Sequence, residues 1–166
     1  GTIAVTNAAQ SPFKNLYPQG KTGVSIPAGA SGYLITQALH PPRTTEDGQL
    51  LHVNLDFRVT APSASAKGTH CFSLGRLGEP SAVEVLITSE TISTRVGERI
   101  ENLSTLRPNQ WHNLQLTLDL TRRTVAGRVG APGSVTESTA QPLSATWSGT
   151  IDQWTCSSLD PLNSEH

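Results

Sequence analysis

Trp111-His112-Asn113-Leu114-Gln115-Leu116-Thr117-Leu118-Asp119-Leu120 alternates strictly from Asn113 onward. Successive side chains of an extended chain point to opposite faces, so Leu114, Leu116, Leu118 and Leu120 share one side. A helix would carry the same leucines to opposite sides of its axis. The chain turns through Thr121-Arg122-Arg123 and returns as Thr124 to Val129. This reads as an antiparallel hairpin closed by short polar residues. A second alternation sets Leu51, Val53, Leu55, Phe57 and Val59 against His52, Asn54, Asp56 and Arg58, giving another strand with one dry and one wet face. The expected core is therefore Val53, Leu55, Phe57, Leu114, Leu116 and Leu118, since each strand must bury one face.

Working outward, His70 to Leu74, Ala82 to Ile87 and Thr91 to Val96 also read as strands, as do the shorter Val24-Ser25-Ile26 and Leu34-Ile35-Thr36. Prolines and glycines break up residues 1–33. His40 to Gly48 reads as a loop, Ala61 to Gly68 as a small-residue linker and Arg107 to Gln110 as a turn. Short strands spaced by turns, with 14 Gly, 11 Pro and no strongly helix-forming stretch, predict an all-β sandwich. The 166 residues fit one domain spanning the whole chain.

Only 15% of residues are charged and the net charge is -1, so nothing steers nucleic acid or an anionic membrane surface to this chain. Apolar runs are as short as Val85-Leu86-Ile87, whereas a spanning helix takes roughly 20 residues, so no membrane insertion is expected. The opening at Gly1 is read as that of a mature or trimmed fragment of a larger protein. Cys71 and Cys156 leave two readings open. One is a disulfide, which would stabilise the fold by roughly 4 to 5 kcal/mol in the chain-entropy account. The other is a pair of buried thiols. Asn102-Leu103-Ser104 matches a glycosylation sequon.

Trp111-His112 with its leucines, the Thr124 to Val129 return and Trp147-x-Gly149-x-Ile151-Asp152 resemble the closing strands of laminin G-like domains in the concanavalin A-like superfamily. The resemblance implies a jelly-roll sandwich of two antiparallel sheets, with Trp111 and Trp154 in or beside its core and Trp147 partly exposed. It covers roughly the last third of the chain. One departure is Val129-Gly130-Ala131-Pro132-Gly133, where the family often ends its hairpin return with Asp-Gly or Asn-Gly.

For chemistry, no two of the 13 Asp and Glu residues stand at i, i+2. That spacing would put a nucleophile and an acid on one strand face about 5 to 6 Å apart, as β-glucan-cleaving relatives require. Glu79, Glu84 and Glu90 would have to converge from separate segments; as scattered carboxylates they read as solvated surface. There is no Gly-x-Ser-x-Gly elbow, so no catalytic residue is assigned. No His-x-x-x-His or Cys-x-x-Cys occurs, so neither zinc nor another cofactor is implied. Some laminin G-like domains hold calcium at the rim, and Asp47 is the local candidate for that role or for an ordinary Asp-Gly turn.

The polar row His52, Asn54, Asp56 and Arg58 places donors and acceptors roughly 6.6 Å apart along one face, which suits sugar hydroxyls as well as plain solvent. Trp147 is the expected stacking surface beside it. The expected function is a non-catalytic recognition module for a polysaccharide or a protein partner, in a secreted, periplasmic or cell-surface protein. A glycoside hydrolase or a ligand-free spacer on the same fold are the alternatives.

Overall fold

The computed structural model describes residues 4–6, 23–26, 34–48, 50–60 and 68–159. Most of the residue 1–33 stretch and nearly all of the Ala61 to Gly68 linker lie outside them. The described elements are strands: β1 (Ala4–Thr6), β2 (Gly23–Ser25), β3 (Leu34–Thr44), β4 (Leu50–Arg58), β5 (Thr69–Gly75), β6 (Val83–Ile87), β7 (Thr91–Val96), β8 (Arg99–Thr105), β9 (Trp111–Asp119), β10 (Thr124–Ala131), β11 (Ser134–Glu137), β12 (Gln141–Pro142) and β13 (Thr150–Leu159). Apart from the small β1–β2 pair they form two antiparallel sheets. One runs β11-β10-β9-β4 with β12 beside β10, and the other runs β3-β13-β5-β6-β7-β8.

The leucine row of β9 lies between these sheets. Leu114, Leu116, Leu118 and Leu120 are fully buried, joined by Val125 and Val129 of β10. Val83, Val85, Ile87, Ile92, Leu103 and Ile151 meet them from the six-stranded sheet. Val53, Leu55 and Phe57 pack against this core but stay half-buried, because β4 is the edge strand of its sheet. Gly127 on β10 is required by this packing, since a Cβ there would stand 3.3 Å from a Leu116 methyl and 3.4 Å from one of Leu103. Phe72 and Trp154 stack on one another at 6.0 Å, and Trp154 packs beside the core as the resemblance implies.

One expected connection changes. The loop expected from His40 to Gly48 is strand as far as Thr44. β3 is an edge strand, and its register against β13 jumps from Ile151↔Arg43 to Gln153↔Ala38, so Pro41 and Pro42 sit in a bulge where a missing N–H breaks no ladder. Two further strands, β8 and β11, lie in segments for which the sequence reading named no element. β11 follows a two-residue turn in which Pro132 precedes Gly133 at φ 83°.

Of the two readings left open for Cys71 and Cys156, the structure holds the second, two buried free thiols. Cys71 pairs in register with Ser157 and Cys156 with Phe72. Directly opposed residues share a face and successive residues do not, so the two sulfurs project to opposite sides of one sheet.

Candidate functional site

The β4–β9 register decides what surrounds the expected polar row. His52 lies opposite Thr117, Asn54 opposite Gln115, Asp56 opposite Asn113 and Arg58 opposite Trp111. All eight therefore share the outer face of the five-stranded sheet. His52, Asn54, Arg58 and Gln115 are exposed, and Asp56 is half-buried.

Asn113 organises this face although it is only 6% exposed. Its Nδ2 donates to Asn54 Oδ1 at 2.7 Å and to Asp56 Oδ1 at 2.5 Å, and its Oδ1 accepts from Gln115 Nε2 at 3.0 Å. Two strands are thus cross-linked by one amide. Asn54 is engaged through its oxygen and Gln115 through its nitrogen, so the Asn54 amide N–H groups and the Gln115 carbonyl oxygen stay directed at whatever docks. His52 Nδ1 stands 3.2 Å from Thr117 Oγ1.

The aromatic of this face is Trp111. It is in phase with Asn113 and Gln115, not with the leucines, and so points outward, contrary to the core position implied by the resemblance. The Arg58 guanidinium lies over its ring, 5.5 Å from the centroid. Trp147, expected at the surface, is 3% exposed. Its Nε1 donates to the Thr150 carbonyl at 2.8 Å, and Arg123 covers its ring at 4.8 Å while donating to its carbonyl at 2.7 Å. Buried to this degree, the ring offers no stacking surface, whereas Trp111 is half-buried. Only its phase relative to Asn113 marks Trp111 in the sequence, and the family pattern hides that signal.

On β10, Gly130 lies opposite Asn113 and Arg128 opposite Gln115. On β11, Val135 lies opposite Gly130 and Glu137 opposite Arg128. The Arg128–Glu137 ion pair at 3.0 Å and the exposed Val135 complete the outer surface.

The other sheet also carries a polar outer face. Glu84 and Arg95 form an ion pair there, and Ser73 bonds Thr155 at 2.5 Å across β5 and β13. The hydrogen bond from Arg95 to Glu84 raises the arginine pKa further. Beside them burial pushes the Cys71 thiol up to about 11, with the Glu84 carboxylate adding to the effect. Nothing on this face of β5, β6, β7, β8 or β13 is aromatic, because Phe72 and Trp154 turn inward.

The carboxylates considered for catalysis do not converge. Glu84 is paired with Arg95 near the start of β6, Glu90 sits in the turn after β6, and Glu79 lies in the turn before it, bound to Arg76 and Ser148. Asp47 takes the turn role, its carboxylate accepting the Thr44 N–H at 2.6 Å. Among the described residues no group of three metal-ligating side chains forms.

No protein-family model matches the chain, and no curated protein does. Solved structures do match, at low identity. Lectin II from Ulex europaeus aligns at 9% identity with a TM-score of 0.54, covering 95% of this chain and 90% of the lectin. Peanut lectin, solved with a 9mer peptide, gives 11% and 0.54 over 95% and 89%. A sialidase gives 14% and 0.56 over 74% of this chain, which spans 10% of the sialidase's length. These matches establish the fold: an all-β lectin-type jelly roll of two antiparallel sheets.

Proposed function

We propose that the chain is a non-catalytic carbohydrate-binding module of the laminin G-like kind, carried by a larger secreted, periplasmic or cell-surface protein. Its ligand is a neutral polysaccharide, read by His52, Asn54, Asp56 and Arg58 together with Trp111, Asn113 and Gln115. One observation carries this reading: a buried amide holds a row of exposed hydrogen-bonding side chains in fixed positions beside an outward-facing tryptophan. Sugar recognition needs that combination of preset polar groups and an apolar ring face. The charged members of the face lie next to partners, which suits a ligand without charge. The lectin UEA-II complexed with galactose, aligned at a TM-score of 0.50 and 11% identity, supports a sugar ligand by analogy of fold.

A neutral-glycan array probed with the domain tests this. Asn54→Ala leaves Asn113 its bond to Asp56, so binding should fall at least tenfold while the melting temperature barely moves. Binding to no glycan, or binding indifferent to Asn54 and Trp111, would refute the reading. Sugar release that disappears in Glu84→Gln would move the protein to the enzymes instead.

A further inference from the structure

Gly130 is the last but one residue of β10, paired on both sides beside the turn into β11, and neither core packing nor a positive φ requires glycine there. Glycine weakens a strand interior, and where it occurs there it often marks a close approach by a backbone or a ligand. At Gly127 the core supplies the reason. At Gly130 a Cβ would meet nothing nearer than the Asn113 carbonyl oxygen at 3.9 Å, and its backbone is not among those with positive φ. Position 130 is therefore a gap one side chain wide. Asn113 borders it on β9 and Val135 on β11, with Arg128 before it on its own strand and Trp111 diagonal to it.

From this gap, and resting on the sugar-binding reading above, we infer that Gly130 is a specificity-determining position that admits one short substituent projecting from the ligand. The position has an apolar neighbour in Val135 and a polar one in Asn113, and the absent side chain leaves room for a ring substituent. A hydroxymethyl group, with one carbon and one hydroxyl, matches both neighbours. The ligand class is accordingly a polymer of hexopyranoses, which carry that group on every ring, in preference to one of pentopyranoses, which lack it.

The test is calorimetry of the intact domain with gluco-, manno- and galacto-hexaoses and with xylohexaose, for wild type, Gly130→Ala and Gly130→Val. At least one hexose oligomer should bind wild type tenfold or more tighter than xylohexaose. Gly130→Val should weaken that binding at least tenfold and Gly130→Ala by less, neither lowering the melting temperature because the added atoms meet open space. Hexose binding that Asn54→Ala abolishes but Gly130→Val leaves intact would overturn this inference and spare the function. Equal affinity for xylohexaose would do the same, whereas no binding of any oligomer to wild type would overturn both.

Discussion

Cys71 and Cys156 are one register step apart on neighbouring strands, and that step keeps them reduced. With its pKa pushed up to about 11 by burial, the Cys71 thiol is almost wholly protonated at neutral pH and a poor nucleophile. Iodoacetamide at pH 8 should leave the native protein unlabelled and add two groups once it is unfolded without reductant. A native mass two hydrogens short, with no thiol to label, would contradict this. His70 gives a pH dependence. Burial lowers its pKa below 6.5 in the fold, so the unfolded chain takes the proton first as pH falls. Its contribution is complete above about pH 6.5 and is lost as pH drops through that value toward the lowered one. Between pH 7.5 and 5.5 a His70→Gln variant should lose less melting temperature than wild type. Single residues were the scale least legible in the sequence. Trp147 and Trp111 exchanged their expected surroundings because burial depends on which loop and which phase a side chain joins, and a short motif specifies neither.

Elements were legible where period and edge agreed. β9 and β10 show in the sequence because both faces follow one uninterrupted alternation. β8 does not, since its two apolar residues, exposed Ile100 and buried Leu103, fall on opposite faces and so mark no single dry face, and its pairing is interrupted by the register shift at Ile92/Ser93. The inner and edge strands should respond differently to truncation. Leu116→Ala should cost about 2 to 5 kcal/mol in denaturant melts, while half-buried Val53→Ala on the edge costs clearly less. A Leu116→Ala loss under about 1 kcal/mol would mean its face is misassigned. The polar side of the same strands is coupled. Changing Asn54 and Asp56 to Ala together strands the Asn113 amide below the surface and should cost about 1 to 3 kcal/mol, more than the two single changes summed.

At the scale of the molecule, two sheets bury their alternating apolar sets against each other and leave two polar outer faces. The row His52, Asn54, Asp56 and Arg58 was visible in the sequence because a half-buried strand must show one wet face. What the sequence hid is what turns the row into an array: the β4–β9 register, which is a long-range pairing, brings up Asn113, Gln115 and Trp111 from about sixty residues away. The central claim is that this face, and not the one bearing Glu84 and Arg95, receives the ligand. NMR titration of the isotopically labelled domain with the strongest neutral oligosaccharide from the array tests it most directly. Shift changes should cluster on His52, Asn54, Asp56, Arg58, Trp111, Gln115 and Gly130. Changes clustered instead on Ser73, Glu84, Ser93 and Arg95 would contradict the account.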